Sequence, residues 1–341
     1  MNKKKVIKIF GIVLLVLLVM ILAVLTGAYM FVQQKMGKMQ IIEINQEELS
    51  ISEQVEEHLS EYRNIDIFGI DSRCVNYETG DRSDCIIIAS LNNNTGEIKL
   101  ISVYRDTYVK IEGHGFDKIN HAYQFGSAQL ALKTLNSNLD LNIKEFVAVN
   151  FESVAEAVDE LGGVEINIDK DELKYINGYI EDLSKILGKK TKNITKTGKQ
   201  NFDGIQAVAY SRIRYTEGWD YKRTERMRTV IEAMLKKLQT KSIGEINTFI
   251  DNLLPMVYTN IKTNDIISLL PNISKYKVET SLGWPYVTKG VTFDNYYGIP
   301  ITLESNVVKL HAEAFEEENY VVSDTVKTIS DQIIKKTGYS K

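Results

Sequence analysis

Apolar and polar residues follow two different periods along most of the chain. Residues 64–71 (NIDIFGID) alternate, and residues 84–91 (DCIIIASL) form a continuous apolar run, which predicts a half-buried strand and a buried one. Residues 92–96 (NNNTG) are typical of a tight turn into a third strand. The same reasoning predicts strands over 97–103, 145–151 and 164–168, and helices over 127–139, 152–161, 203–210 and 223–238.

This interleaving of strands and helices defines the expected fold class. It predicts an α/β fold, with a layered αβα domain built on a mixed central sheet. Residues 169–200 are rich in lysine and contain a short amphipathic helix, so we expect a surface insertion there. The chain beyond residue 240 mixes helix and strand and contains few residues with evident chemistry.

The N-terminal region predicts a membrane anchor. Residues 9–32 are uncharged, and at 1.5 Å per helical residue they exceed the roughly 30 Å hydrocarbon core of a bilayer. Four lysines precede this run, at positions 3, 4, 5 and 8, which predicts a cytoplasmic N-terminus and an exported remainder. The alternative is a cleaved signal peptide, but its apolar region would span about 7–15 residues and end at a small-residue site.

The predicted organisation is therefore a cytoplasmic tail over residues 1–8, one transmembrane anchor over 9–32, a stalk over 33–61 and an extracellular domain over 62–341.

The composition of the chain excludes several classes of protein. With 44% hydrophobic and 25% charged residues in 341, the chain is neither a polytopic membrane protein nor disordered. A formal charge of −4 argues against a nucleic-acid partner.

The arginines are concentrated in one part of the chain. All of them lie between Arg63 and Arg228, whereas lysine is the common basic residue elsewhere. Because a guanidinium group can grip phosphate or carboxylate with two parallel hydrogen bonds, this concentration indicates an anion site. The alternative is that two or three of these arginines form structural salt bridges.

Two arginine pairs are candidates for such a site. Arg212 and Arg214 lie two apart in YSRIRY, and in an extended segment they would share a face. Arg223 and Arg226 are three apart on a predicted helix, near its positive N-terminal end. Like charges placed together repel unless an anion lies between them, so the pairs favour a pyrophosphate site.

Two aspartates flank the loop between the first two predicted strands. Asp71 ends the first strand and Asp84 begins the second, so antiparallel pairing would bring both carboxylates to one sheet edge. Two carboxylates without histidine or thiolate ligands suit Mg²⁺, which also takes oxygen atoms from substrate phosphates. The alternative is that both aspartates cap the loop.

At this point the order of motifs identifies a resemblance. The segments IFGIDSR, GDRSDCIII, SVYRDTYV, KINHAY, VNFESV, LGGVEI and FDGIQAVAYSRIRYTEGWDYKRTERMR resemble the LytR-CpsA-Psr family of cell-wall enzymes. The resemblance covers a motif core over residues 62–240. It implies transfer of a glycopolymer, of the teichoic acid or capsular polysaccharide type, from an undecaprenyl-diphosphate carrier to peptidoglycan, with release of lipid phosphate. It also implies a single-pass protein of the cell membrane of a Gram-positive-type bacterium.

The resemblance assigns roles to individual residues. Asp71 and Asp84 match the Mg²⁺-linked positions. Arg105, Asp106 and Asp220 match positions expected to act in catalysis, the two aspartates either as orienting groups for arginine or as base. The expected pyrophosphate-binding residues are Arg82, Arg105, Arg212, Arg214, Arg223 and Arg226. Two alternatives remain open: a lipid-diphosphate-binding regulator and a lipid-pyrophosphate hydrolase.

The chain departs from the family pattern at a few positions. Tyr104 stands where a proline usually precedes Arg-Asp, and Met227 stands where a glutamine is common. Thr224 and Glu225 also replace the usual residues before Arg226. The arginines and aspartates are retained, so we expect these departures to affect the details of substrate recognition and not the activity itself.

Two further expectations concern the surroundings of the site. The lipid tail needs an apolar slot, which we expect between the sheet and the helices over 127–139 and 152–161. Cys74 and Cys85 are the two cysteines of the chain and flank the loop between the first strands, so we expect a disulfide between them. The alternative for Cys85 is a buried free thiol.

Overall fold

The computed structural model of the chain describes residues 40–70 and 80–340. No helix within these two ranges is long and apolar enough to cross a membrane. The predicted anchor over residues 9–32 lies outside them, as do Asp71 and Cys74. The disulfide between Cys74 and Cys85 therefore stays a prediction.

A seven-stranded sheet forms the centre of the described domain, and three two-stranded sheets accompany it. The strands are β1 (Gln40–Ile41), β2 (Tyr62–Ile70), β3 (Ser83–Asn92), β4 (Glu97–Val103), β5 (Tyr108–Ile111), β6 (Gly115–Lys118), β7 (Glu145–Val149), β8 (Val164–Ile168), β9 (Gly198–Phe202), β10 (Tyr258–Thr259), β11 (Lys277–Trp284), β12 (Thr288–Thr292) and β13 (Tyr296–Pro300).

The central sheet is mixed, as predicted, with the strand order β1-β10-β7-β2-β3-β4-β11. β3 pairs antiparallel with both β2 and β4, and β2 pairs parallel with β7. In consequence the C-terminal ends of β2, β4 and β7 lie at the same sheet edge as the N-terminal end of β3. Ile70 pairs with Ser83 there, so the expected antiparallel pairing around residues 71 and 84 is confirmed.

Helices cover both faces of this sheet. The α-helices of the described residues are α1 (Glu53–His58), α2 (His121–Leu139), α3 (Phe151–Glu160), α4 (Lys170–Leu187), α5 (Gly204–Arg212), α6 (Trp219–Leu238), α7 (Ile243–Leu253), α8 (Thr263–Leu269), α9 (Leu303–Phe315) and α10 (Asp324–Thr337). Short 3₁₀ helices occupy Gln46–Glu48, Leu254–Met256 and Leu270–Lys275.

The alternation predicted for β2 separates the two layers. Phe68 faces one side of the sheet, where it belongs to a large hydrophobic core that includes residues of α2, α9 and α10. Ile67 and Gly69 face the other side, together with residues of α3, α5 and α6. The layered arrangement with helices on both sheet faces is therefore confirmed.

Residues 40–61, predicted as part of a stalk, belong to the domain itself. β1 forms an edge of the central sheet, and Leu49, Val55 and Leu59 are buried in the large core. The helical spacing of apolar residues in this segment reflects side chains that face the core. Residues 40–61 are therefore part of the domain that was predicted to begin at residue 62.

The segment over 169–200 also differs from its prediction as a surface insertion. α4 fills most of it, and Ile176, Ile180 and Leu183 are buried in a second hydrophobic core with β8, β9 and α5. Asp169 caps this helix by accepting hydrogen bonds from the Asp171 and Glu172 amides. α4 is therefore an integral element, and its lysines lie on its outer face.

A buried carboxyl group in β2 has a consequence for stability. Asp66 is fully buried, and burial raises its pKa well above the ordinary value of 3.8, against a weaker opposing effect of the Ile67 amide. The native carboxyl group therefore holds its proton more tightly than the unfolded one. The free energy of unfolding consequently falls as pH rises from about 3.8 through the raised native pKa.

We expect Asp66→Asn to remove this pH dependence and to raise the free energy of unfolding near pH 7. Urea unfolding of both proteins at several pH values between 5 and 8 measures the two slopes. Equal slopes for the variant and the parent would contradict a raised pKa at Asp66.

Candidate active site

A cavity of about 630 Å³ lies between the central sheet and the helices on one of its faces. Its deep wall consists of aliphatic and methionine side chains from β2, β7, α3, α5, α6 and the segment around α7. These residues are Ile67, Val147, Val149, Val154, Ala157, Val208, Val230, Ile231, Met234, Leu253 and Val257. The cavity therefore offers an apolar slot large enough for a small-molecule-sized apolar group.

The position of this slot corrects one expectation and supports another. Val154 and Ala157 of α3 line it, in agreement with the predicted helix over 152–161. The helix predicted over 127–139 does not line it, because α2 packs on the opposite face of the sheet, within the large core. Non-helical backbone angles at Gly126 and Ser127 divide α2 into two helical parts, and the second part agrees with the helix predicted over 127–139.

Polar residues lie where this cavity meets the sheet edge formed by the C-terminal ends of β2 and β4. They are Asp84, Arg105, Arg212, Arg214 and Arg223. Asp84 is the second residue of β3, and Arg105 comes two residues after the end of β4, so antiparallel pairing brings them together. The cavity is thus lined mostly by apolar side chains and is cationic where the arginines meet Asp84.

Asp84 is the centre of the charged end. Its Oδ1 atom accepts a hydrogen bond from Arg105 Nη1 at 2.7 Å, and its Oδ2 atom lies 3.8 Å from Arg214 Nη2. Its backbone oxygen accepts a hydrogen bond from Arg223 Nη2 at 3.3 Å. Two guanidinium groups thus meet the Asp84 carboxylate and a third meets its backbone oxygen, which leaves a local excess of positive charge. Such an arrangement attracts a multivalent anion, and phosphate oxygens match the guanidinium geometry.

Arg212 and Arg214 reach the cavity by different backbone routes. The predicted extended segment is wrong for Arg212, which is the last residue of α5, while Ile213 has an extended backbone and leads to Arg214. The guanidinium carbon of Arg212 lies 4.7 Å from the centre of the Phe151 ring, and its Nη1 atom lies 3.1 Å from Asp182 Oδ2. Both arginines therefore lie on the cavity wall because α5 ends at Arg212, and not because they share one face of a strand.

Asp106 is held by two cations and does not line the cavity. Its Oδ1 atom accepts a hydrogen bond from Lys118 Nζ at 2.7 Å, and its Oδ2 atom lies 3.6 Å from Arg105 Nε. This geometry favours an orienting role toward Arg105. Asp220 lies in the first turn of α6, and its side chain is outside the described part of the structure.

Arg226 is not on the cavity wall. It is buried, and its Nε atom donates a hydrogen bond at 2.7 Å to Glu172 Oε1 in α4. Its Nη1 atom donates to the Ile213 backbone oxygen at 3.0 Å and its Nη2 atom to Thr216 Oγ1 at 2.6 Å. Arg226 therefore ties α4 and the segment that carries Arg214 to α6. Arg63 likewise forms an ion pair away from the cavity, with Glu145.

Arg82 also lies away from the cavity wall. Its side chain is exposed, and its Nε atom donates a hydrogen bond at 3.2 Å to Gln124 Oε1. Arg82 follows the loop whose residues 71–79 are outside the described ranges. The structure thus brings together four of the six expected pyrophosphate-binding arginines.

Gly69 and Cys85 face each other across β2 and β3 beside Asp84. A Cβ atom on Gly69 would lie 2.6 Å from Cys85 Cβ, so a larger residue does not fit here. Burial raises the pKa of the Cys85 thiol to about 12, against an opposing effect of the Arg223 cation. The thiol is therefore protonated near neutral pH and is a poor nucleophile.

Three residues that support the site were not singled out in the sequence. Tyr179 of α4 accepts a hydrogen bond from the Arg214 amide at 3.2 Å, and its ring centre lies 6.0 Å from the Arg212 guanidinium carbon. Lys118, the first residue of KINHAY, binds Asp106, and Phe151 of VNFESV supports Arg212. The motifs contained Lys118 and Phe151, but only tertiary structure reveals their partners.

The residues of this site fit a magnesium ion in part. Within the described ranges no group of three or more histidine, cysteine, aspartate or glutamate residues could hold a metal. Mg²⁺ typically uses one or two carboxylates and completes its shell with water and substrate phosphates, so a dense cluster is not required. Asp84 supplies one suitable carboxylate at the cationic end of the cavity, and Asp71 lies outside the described residues.

Comparison with known proteins places the chain in a family. The model of the LytR_cpsA_psr family matches residues 26–302. The polyisoprenyl-teichoic acid–peptidoglycan teichoic acid transferase TagT of Bacillus subtilis is 33% identical over 236 residues, which cover 67% of this chain and 70% of that protein. The corresponding TagU of Enterococcus faecalis is 34% identical over 270 residues, covering 77% of this chain and 80% of that protein.

A solved structure has the same fold. The LytR-CPS2A-psr family protein YwtF (TagT) with bound octaprenyl pyrophosphate lipid superposes with a TM-score of 0.52 at 22% identity. The superposition covers 82% of this chain and 92% of that one. Together with the match over residues 26–302 and the identities above, this establishes that the chain belongs to the LytR_cpsA_psr family.

Proposed function

We propose that this protein is a membrane-anchored phosphotransferase that moves a glycopolymer from an undecaprenyl-diphosphate carrier to peptidoglycan. One observation carries the proposal: arginines gathered around Asp84 form the cationic end of a cavity that is otherwise apolar. A polyprenyl diphosphate has the same division into an anionic head and an apolar tail. The names of the relatives TagT and TagU support a teichoic acid as the transferred polymer.

The proposed reaction is a phosphoryl transfer. A peptidoglycan hydroxyl oxygen attacks the phosphorus that is bonded to the polymer sugar, and a new P–O bond forms. The bond between that phosphorus and the bridging oxygen of the diphosphate breaks, and lipid monophosphate leaves with the electron pair. The hydroxyl proton passes to a base. Such a reaction depends mainly on positioning and on neutralisation of charge.

The arginines supply most of this neutralisation. Arg105, Arg214 and Arg223 already converge on Asp84, so diphosphate oxygens entering this end of the cavity meet donors without a large rearrangement. Arg212 is held against Phe151 and extends the same cationic wall. Lys118 and Arg105 neutralise Asp106, which supports an orienting role for that residue and leaves Asp220 as the proposed base.

We propose Mg²⁺ as the cofactor, held by Asp84 and Asp71. When bound, the ion would neutralise charge on the diphosphate oxygens. Asp84 would then interact with both the ion and the arginines. The proposed location is the outer side of the cell membrane, with residues 9–32 as a single span and the N-terminus in the cytoplasm.

A reconstitution experiment tests the proposed function. The full chain in detergent is incubated with a lipid-diphosphate oligosaccharide, with and without a peptidoglycan oligomer, and products are separated by mass. We expect oligosaccharide phosphate linked to peptidoglycan only when both substrates are present. Release of oligosaccharide phosphate at the same rate without acceptor would indicate a hydrolase, and binding without turnover would indicate a regulator.

The geometry of Arg212 leads to a prediction about its side chain. Because its planar group stacks on Phe151 and offers a fork of donors, lysine cannot replace it. We expect Arg212→Lys to lower kcat/KM by about 10²-fold, close to the effect of Arg212→Ala. Lys222→Ala, which removes an exposed cation of α6, is the control and should retain activity. Full activity of Arg212→Lys would mean that this residue supplies only charge.

A further inference from the structure

The hairpin of β12 and β13 is attached directly beside Arg105 and Asp106. The Gly298 amide donates a hydrogen bond to the Asp106 backbone oxygen at 2.9 Å, and Thr107 forms a parallel bridge with Gly298. The hairpin thus continues from the residues that follow β4 at the cationic end of the cavity. Any ligand on the hairpin would lie next to the candidate active site.

The two faces of this hairpin differ in composition. Because side chains alternate along a strand, Val291, Tyr297 and Ile299 face inward and pack with the large core. The outward residues of the paired strands carry no charged side chain, and most are exposed or half-buried. They are Thr288, Gly290, Thr292, Tyr296, Gly298 and Pro300.

Tyr296 lies flat on this outward face. A Cβ atom on Gly290 would lie 2.8 Å from the Tyr296 hydroxyl oxygen and 3.0 Å from a ring carbon, so the ring crosses the opposite strand where that strand has no side chain. The side chain is 51% exposed. Gly290 therefore makes room for the Tyr296 ring on this face.

Tyr221 joins the hairpin to the active site. Its hydroxyl oxygen lies 3.3 Å from Thr288 Oγ1, and its ring contacts Tyr104 edge to face with 4.4 Å between ring centres. It is 46% exposed and precedes Arg223 by two residues on α6. Tyr104, which stands in place of the family's usual proline, thus packs against the Tyr221 ring.

We propose that Tyr221 and the outward face of the β12–β13 hairpin, here called the tyrosine platform, bind the glycan strand of the peptidoglycan acceptor. The proposal rests on the function proposed above. Pyranose rings present C–H groups that pack on the negative face of an aromatic ring, and their hydroxyls can bond to threonine side chains. The platform is uncharged, as suits a neutral sugar backbone, whereas the adjoining cavity is cationic, as suits the diphosphate donor.

Steady-state kinetics of the full chain test the platform. We expect Tyr296→Ala and Tyr221→Ala each to raise the KM for a soluble peptidoglycan oligomer about fivefold to tenfold, as expected for loss of one aromatic contact. The affinity for a lipid diphosphate without acceptor should be unchanged, because neither side chain lines the cavity. Phe293→Ala is the matched control, since Phe293 is 55% exposed on the same hairpin but contacts Tyr297 of the inward face.

The outcomes separate this proposal from the proposed function. An unchanged acceptor KM in both tyrosine variants, or an equal rise in Phe293→Ala, would overturn the platform. If the parent protein ligates nothing, titration of the peptidoglycan oligomer into the parent and variant proteins still measures binding at the platform. Suppose that the parent protein binds the oligomer, and that binding is weaker in both tyrosine variants but not in Phe293→Ala. This result would support the platform and contradict the proposed transferase function. No binding by the parent would overturn the platform too.

Discussion

Asp84→Ala is expected to lower kcat/KM for glycopolymer transfer by about 10²- to 10³-fold. The carboxylate orders Arg105 and Arg214 through its two oxygens, so its loss leaves these two cations without the charge that arranges them, whereas Arg223 keeps its hydrogen bond to the backbone oxygen of residue 84. The proposed Mg²⁺ would also lose a ligand. Transfer rates at varied Mg²⁺ concentration measure both effects, since the variant should show little stimulation by the ion.

A control for this prediction exists in the same sheet. Glu145 forms an ion pair with Arg63 that is similarly half-buried, with an Arg63 Nε to Glu145 Oε2 distance of 2.6 Å, but it does not line the cavity. Glu145→Ala should therefore retain most of the activity. Asp71→Ala should match Asp84→Ala in its response to Mg²⁺. Undiminished stimulation by Mg²⁺ in both aspartate variants would remove them as ligands and leave Asp84 with an orienting role only.

Local patterns were sufficient to predict the part of the molecule that surrounds Asp84. The alternation in β2 and the apolar run in β3 are consequences of burial on one and two faces, so the strands and their pairing could be inferred. The turn residues between β3 and β4 then place Arg105 at the edge where Asp84 begins β3. These inferences need only neighbouring strands.

Contacts between distant segments could not be inferred in the same way. The lysine-rich segment that contains α4 has a polar outer face, which indicated a surface insertion, yet its buried face carries Tyr179 and Glu172. Both residues act on arginines more than thirty positions away in the chain. Likewise the sequence predicted an apolar slot beside both α2 and α3, and only the packing shows that, of these two helices, α3 borders the cavity.

Arg226 illustrates this limit and leads to the second large expected effect. Its position three residues after Arg223 favoured a place in the anion site, whereas the structure places it in a buried ion pair with Glu172. The three nitrogen atoms of its guanidinium group each have a protein partner, and two of those partners, Ile213 and Thr216, flank Arg214. We therefore infer that Arg226 is a positioning residue for Arg214.

Arg226→Ala is expected to lower the free energy of unfolding by about 3–5 kcal/mol, because it leaves the Glu172 carboxylate buried without its partner. Activity should fall as well, because the segment from Ile213 to Thr216 loses two hydrogen bonds that fix it. Thr216→Val separates the two effects. It keeps the ion pair and removes one acceptor, so stability should fall by only about 1 kcal/mol while the KM for the lipid-diphosphate donor rises.

Hydrogen exchange of the ligand-free protein measures how well this segment is ordered, independently of diphosphate binding. In Thr216→Val we expect faster exchange for the amides of residues 213–218 and unchanged exchange in β2, β3 and β4, because the amides of those strands are held by their pairing with one another. Thr229→Val, which removes an exposed hydroxyl on the same helix, serves as control. If Arg226→Ala kept the parent's stability and exchange pattern but lost donor binding, Arg226 would instead be a direct ligand of the diphosphate.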